Sequence, residues 1–294
     1  MKFTLCNEMY QCWSFENQFE ACATWGYDGI ELAPFSLDPI LQSGKSCCIS
    51  LERINSTIRN RIISCSRQSG VVVSGFHWIL AKTKGYHITT NDTEIRRKTS
   101  EYLSQLAFFC AELGGSYMVL GSPKQRNQTR EQTHAEALKN AIETISNVLP
   151  TLEKTGVTLA LEALSPTETN FWVNAEEVLN FIKTMGNPDK LSLHLDCKAM
   201  DSGEYQSIPD TLRYIAPEKK FFSFHANDPN LQGPGFGNLN FDWIMEALRE
   251  IEFDGWIGVE PFDYSPGIVE LGRKSIQNLK KALNNTMDAH QVIK

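Results

Sequence analysis

The chain lacks any apolar run of the ~18–20 residues that a bilayer crossing requires, so no helical membrane span is expected. Its opening residues, MKFTLCNEMYQCW, also lack the apolar stretch of roughly 7–15 residues that precedes a secretory cleavage site, and a cytoplasmic protein is expected. None of the eight cysteines falls in a Cys-x-x-Cys pair, and a 294-residue chain needs no disulfide framework. Most are expected to be buried free thiols acting as small hydrophobes. Positive charge is scarce: 28 Lys and Arg against 35 Asp and Glu leave a net charge of −7. That speaks against a nucleic-acid partner, whose phosphates favour a basic face. There is no Gly-x-Gly-x-x-Gly after a strand and no Gly-Lys-Ser/Thr loop of Walker spacing, so no nucleotide cofactor is expected.

What is present is regular. Hydrophobic residues make up 41% of the chain, enough for one large core. Short β-branched or apolar runs read as strands at Phe3–Cys6, Gly29–Leu32, Val71–Phe76, Tyr117–Leu120, Val157–Glu162, Leu191–Asp196, Phe221–His225 and Trp256–Glu260. Helical patterns alternate with them at Phe15–Trp25, Leu51–Gln68, Thr93–Leu113, Ala135–Lys154, Ala175–Met185, Tyr205–Ile215, Phe241–Ile251 and Ile268–Met287. Such alternation implies parallel strands joined by crossover helices, and eight units predict closure into a single-domain (β/α)8 TIM barrel, for which roughly 250 residues suffice. Boundary chemistry agrees. Ser14, Asp92 and Asn174 are good N-caps, while Gly26, Gly114-Gly115, Gly156 and Gly186 follow helix ends as C′ residues do. No linker marks a second domain across 1–294, and residues 288–294 read as a loose tail.

Four potential metal ligands end successive strands: Glu162 in VTLALE, Asp196 in LSLHLD, His225 in FFSFH and Glu260 in WIGVE. They lie 34, 29 and 35 residues apart, one strand–helix unit each. Side chains alternate along a strand. With the ligands turned inward, Leu159, Leu161, Leu193, Leu195, Phe222, Phe224, Ile257 and Val259 turn outward against the helices, and Phe221 and Trp256 fill the barrel floor. Functional residues of such barrels sit at the C-terminal strand ends, where all four fall. Two glutamates, one aspartate and one imidazole suit Mn²⁺, Mg²⁺, Co²⁺ or Zn²⁺ alike. His194 and Glu31 read as buried structural groups, and Lys198 as a solvated lysine. Trp13, Phe35, Trp78 and Trp172 read as packing aromatics.

GYDGIEL (Gly26–Leu32), ALEAL (Ala160–Leu164), LHLD (Leu193–Asp196), FHAND (Phe224–Asp228), GPGFGNLNFDW (Gly233–Trp243) and GWIGVEPF (Gly255–Phe262) together resemble the xylose-isomerase-like barrel superfamily, which includes ketose 3-epimerases, hydroxypyruvate isomerase and metal-dependent dehydratases. The resemblance implies one divalent ion on Glu162, Asp196, His225 and Glu260. It implies an acid–base pair in Glu162 and Glu260, and substrate contacts at His77 and Glu168. Asn227, beside His225, joins the candidate substrate-binding residues as a ligand-orienting or turn-forming group. The implied partner is a small sugar or hydroxy-carbonyl compound, and relatives imply a homo-oligomer. Two positions depart from the ketose 3-epimerase pattern: Ala199 stands where a histidine is usual and Leu231 where an arginine is usual. The expected activity is isomerisation or epimerisation through an enediolate. A dehydratase using the same proton abstraction and a non-catalytic metal- or sugar-binding barrel stay open.

Overall fold

The computed structural model describes residues 1–291, with side chains described as far as Thr286. Eight strands, β1 (Lys2–Cys6), β2 (Gly29–Leu32), β3 (Val72–Phe76), β4 (Tyr117–Leu120), β5 (Thr158–Glu162), β6 (Leu191–Asp196), β7 (Phe221–Ala226) and β8 (Trp256–Val259), close in sequence order into an all-parallel barrel. Helices follow the strands and form the outer ring. Leu159, Leu161, Leu193 and Leu195 are fully buried between sheet and helices, each worth about 1.5–3 kcal/mol of transfer free energy. The caps behave as expected. Ser14 accepts the Asn17 N–H at 3.2 Å, and Gly26 takes the left-handed conformation at φ 90° that closes the first helix.

Three helical expectations are corrected by local chemistry. Leu51–Gln68 divides into a 3₁₀ turn, Leu51–Arg53, and a helix, Ser56–Ser69, because Asn55 between them caps the Ile58 N–H instead of continuing the helix. Ala135–Lys154 divides into His134–Ser146 and Leu149–Thr155, with Pro150, which has no N–H to donate, in the first turn of the second piece. Tyr205–Ile215 gives way to Cys197–Gly203 and Ile208–Ile215. The Asp196 carboxylate starts the former by accepting the Ala199 N–H at 2.8 Å. The last helix runs from Ile268 to Gln291, into the expected tail; residues 292–294 of that tail lie outside the described residues.

Across β5–β8 the inward and outward alternation holds with one exception, in β7. The β6–β7 register shifts between Leu193 and His194. Phe222, expected outside, thereby meets the inward-facing Tyr117 ring at 5.6 Å. Phe221, expected on the floor, stacks on Phe253 at 4.6 Å among the helices. A bulge of this kind puts one extra residue into a strand and reverses the parity on one side of it. Ser223 and His225 keep their inward places: Ser223 Oγ lies 2.7 Å from His194 Nδ1 inside the barrel.

Candidate active site

A cavity of about 440 Å³ opens at the C-terminal ends of the strands. Glu162 ends β5, Asp196 ends β6, His225 lies in β7, and Glu260 follows β8 directly. All four line the cavity, as do His77 just past β3 and Glu168 in the loop after β5. Asn227 is placed differently. It is fully buried behind the wall, donating to the Asp196 carboxylate and to the Glu260 carbonyl (3.1 Å) while its Oδ1 accepts the Lys198 N–H (2.9 Å). It orients Asp196 and does not face the cavity.

The four ligand candidates have unequal surroundings. Glu260 Oε1 accepts the Trp78 indole N–H at 2.7 Å, and its Oε2 lies 3.0 Å from His225 Nδ1. Burial alone would raise the Glu260 carboxyl. The His225 and His77 rings and the Trp78 bond outweigh it and bring it to about 2. Glu162 is the opposite case. Burial, then repulsion from Glu260 and Asp196, push it up to about 8. Asp196 rises to about 6 for the same reasons, burial first and Glu260 second. His225 resists burial because Glu260, Cys6 and Glu31 surround its ring and favour the imidazolium.

Glu162 reaches the cavity only because the residue that follows β4 is a glycine. A Cβ on Gly121 would lie 1.5 Å from Glu162 Oε2. From behind, the buried Arg126 donates to the Glu162 carbonyl at 2.6 Å.

Beneath the ligands lies a polar layer. Glu31 Oε1 is 3.2 Å from His225 Nε2, and Tyr117 donates to the other Glu31 oxygen. His194, bonded to Ser223, stacks edgewise 4.1 Å from His225 with its Nε2 buried and unpartnered. His77 Nε2 pairs with Glu8 Oε2 at 2.7 Å, both buried. Burial disfavours the His77 cation, but Glu8 more than restores it.

Sequence reasoning passed over Glu8, Gly121 and Arg126. For Glu8 a signal existed, since it follows β1 by two residues at the same end of the barrel as the ligands. Trp78, expected as packing, bonds the candidate ligand Glu260. Lys198, expected in solvent, is largely buried and pairs with Glu168 at 2.6 Å. The cysteines are all free, five of them buried.

The donor chemistry fits a divalent cation. Three carboxylates and one imidazole face one cavity, an excess of negative charge that raises Glu162 and Asp196. Donor atoms of Glu162, His194 and His225 lie within 4.8 Å of one another, as do those of Cys6, His225 and Glu260. His225 belongs to both groups and Asp196 to neither, and oxygen-rich ligation with one imidazole is what the common divalent ions accept.

Eight parallel strands closed into a barrel with a cavity at their C-terminal ends define a TIM-barrel class of protein, and the family model for the xylose isomerase-like TIM barrel matches residues 19–284. The chain belongs to that family. It is 24% identical over 192 residues to a ketose 3-epimerase of Arthrobacter globiformis; the match covers 63% of this chain and 63%, less than two thirds, of that relative. It is 23% identical over 261 residues to a probable ketose 3-epimerase of Synechocystis sp., covering 85% of this chain and 79% of the relative. The solved structure of a D-psicose 3-epimerase with D-tagatose from Clostridium cellulolyticum H10 superposes with a TM-score of 0.74 at 20% identity, covering 99% of both chains.

Proposed function

We propose that the protein is a divalent-metal-dependent isomerase or epimerase of a sugar or small hydroxy-carbonyl compound, acting through an enediolate. The observation that carries this reading is the convergence of Glu162 and Glu260 on one cavity together with His225 and Asp196. The names of the curated relatives agree with it.

Glu162, Asp196, His225 and Glu260 would hold the ion. When bound, it supplies Lewis-acid stabilisation of negative charge developing on substrate oxygens. Proton transfer belongs to the chain's own carboxylates. Removing a proton from carbon beside a carbonyl and returning it needs one basic and one acidic group. The two glutamates sit in contrasting surroundings: Glu260 takes an indole N–H and an imidazole, and Glu162 stands against Gly121 among other carboxylates. Asp196, tied to the Ala199 N–H and to Asn227, is held as a ligand and is not free to move a proton. His77, fixed by Glu8, and Glu168, fixed by Lys198, are placed to contact the substrate at the wall.

The test is deuterium exchange from D₂O into ketoses, hydroxypyruvate, inosose and 3-dehydroshikimate, with each divalent metal added in turn. Metal-dependent label at a carbon next to the carbonyl, lost in Glu162→Gln and in Glu260→Gln, is expected. A dehydrated product would replace the isomerase reading with a lyase. A protein that retains no metal and exchanges no proton would be a binding barrel.

A further inference from the structure

Three of the eight cysteines lie outside the core: Cys12 and Cys47 are exposed and Cys48 is half-buried. Two of the three are neighbours in space as well as in sequence, with the Sγ atoms of Cys47 and Cys48 3.7 Å apart. They stand in the loop after β2, and that loop is tied around them. Arg53, held by the buried Asp38 carboxylate at 2.6 Å, donates to the Cys48 carbonyl at 2.5 Å. The Ser46 hydroxyl donates to the same carbonyl at 2.8 Å and accepts the Cys48 N–H at 3.2 Å. The backbone of Cys48 is thus fixed on both its N–H and its carbonyl side.

The next residue joins this loop to the wall of the cavity. Ile49 donates its N–H to the Lys82 carbonyl at 2.9 Å. Lys82 and Trp78 both line the cavity, and both adopt left-handed backbone, at φ 57° and 52°. Residues with a Cβ keep that conformation only where their surroundings hold it. Bonds from outside the segment do so here. Ile49 takes the Lys82 carbonyl, Ser122 Oγ accepts the Leu80 N–H at 3.3 Å, and Glu260 accepts the Trp78 indole N–H at 2.7 Å. A strained stretch of cavity wall therefore hangs in part on the residue beside a solvent-facing pair of thiols.

We propose that Cys47 and Cys48 are a thiol redox site, closed by a hydroperoxide into a vicinal disulfide, and that closure releases the Ile49–Lys82 bond and slackens the cavity wall. Cys47, the more exposed sulfur, meets the oxidant first. With hydrogen peroxide, its thiolate attacks one peroxide oxygen, the O–O bond breaks, and hydroxide leaves to take up the Cys47 proton as water. The Cys48 sulfur then attacks the Cys47 sulfenic sulfur. The S–S bond forms, the S–O bond breaks, and the hydroxyl leaves with the Cys48 proton as a second water. The two sulfurs together give up two electrons, and the peroxide accepts them. Cys47 itself holds the Cys48 thiol above its ordinary value, against the pull of Lys84 and Arg53, so Cys48 keeps its proton for the second step. The ring that results contains the Cys47–Cys48 peptide unit. Drawing the sulfurs in from 3.7 Å turns that unit, and the Cys48 N–H leaves Ser46 as the Ile49 N–H leaves Lys82.

The experiment treats the folded chain with a small excess of hydrogen peroxide and reads it by mass spectrometry. Trypsin cuts after Lys45 and Arg53 and so isolates residues 46–53, whose only cysteines are Cys47 and Cys48. This peptide should become lighter by two hydrogens, resist alkylation, and return to its starting mass with dithiothreitol. In the same sample the Ile49 amide should exchange with D₂O roughly tenfold faster, the factor that loss of one hydrogen bond of ordinary net strength supplies, and exchange should also rise across residues 78–85. Cys47→Ser, at an exposed position, should abolish both changes. A peptide made heavier by oxygen, or joined to a second chain, in place of the two-hydrogen loss overturns the redox site. A disulfide that leaves Ile49 and residues 78–85 exchanging as before overturns the link to the cavity. So does a peroxide effect on residues 78–85 that persists in Cys47→Ser, which would assign it to another thiol such as Cys12. None of these readouts needs turnover, so failure of the isomerase reading leaves them intact.

Discussion

The two halves of the barrel mouth use similar residues for different work. In the β5–β8 half, Glu162, Asp196, His225 and Glu260 each lie at or within one residue of a strand's end and face the cavity. In the β1–β4 half, Glu8, Glu31, His77 and Trp78 spend their polar atoms on one another or across the barrel: Glu8 on His77, Glu31 on His225, Trp78 on Glu260. One half presents the proposed ligands and the other fixes their orientation. Ligand orientation usually depends on such partners, and disturbing them commonly costs activity while the ligands themselves remain.

The largest effect belongs to the presenting half. Glu162→Gln and Glu260→Gln should each lower turnover about 10²–10⁴-fold, the usual contribution of a positioned proton-transfer group. Replacing Glu162 by a neutral amide also removes repulsion with Glu260 and Asp196, so the metal-free protein should be no less stable than the parent. Steady-state kinetics paired with thermal melts of the chelated protein checks both halves of this expectation. A loss of activity that tracks a loss of folding would remove the distinction between presenting and orienting residues.

Gly121→Ala comes next and attacks the comparison from the other side. It changes the residue that follows β4, in the orienting half, yet its Cβ would occupy the place of Glu162 Oε2. The carboxylate must swing away, and a displacement of about 1 Å in a catalytic group can cost roughly 10²-fold. Turnover should fall by about that factor with the circular dichroism of the barrel unchanged.

A smaller effect is expected at Glu8. Glu8→Gln keeps a hydrogen-bonding partner for His77 and should cost less than tenfold. Glu8→Leu, which leaves the buried His77 ring unpaired, should cost about tenfold or more. Because His77 touches the cavity wall, the change should appear in KM more than in kcat. Equal losses in the two variants would show that His77 is held by packing alone.

The halves also differ in how far the sequence reveals them. The presenting residues are legible because each ends an apolar strand and they recur at one strand–helix spacing, so periodicity alone singles them out. The orienting residues have no such rhythm. Glu8 lies past the end of β1 in a 3₁₀ turn, and its place at the C-terminal end of a strand is its one signal, with no recurrence at strand–helix spacing to reinforce it. Gly121 matters only through a neighbour on β5 that is 41 residues away in the chain. Lys198 looks like a solvent lysine until folding brings Glu168 and Phe262 to it. The swapped places of Phe221 and Phe222 have the same origin, since a bulge depends on the partner strand and alternation within one strand cannot disclose it.

The smallest effect on activity, and a test of whether the orienting half also carries ordinary stability, lies at Asp38. This buried carboxylate takes Arg53 at 2.6 Å and the N–H groups of Ile40, Leu41 and Ser50, pinning the loop that follows β2 away from the cavity. Burial pulls its carboxyl up, but Arg53 and those N–H groups outweigh burial and hold it below the ordinary aspartate value. A group depressed in the folded state binds its proton less readily there than in the unfolded chain. Its stabilisation is therefore complete above the unfolded value of about 3.9 and is lost as pH falls through the folded value. Asp38→Asn should cost about 1–3 kcal/mol at pH 7, measured by urea unfolding, and the gap from the parent should narrow in acid. Turnover per folded molecule should stay within about twofold, because Asp38 does not line the cavity and its loss acts through the folded fraction. A gap as wide at pH 3 as at pH 7 would mean that the charge of Asp38 contributes nothing and that its hydrogen-bonding shape is what the loop requires.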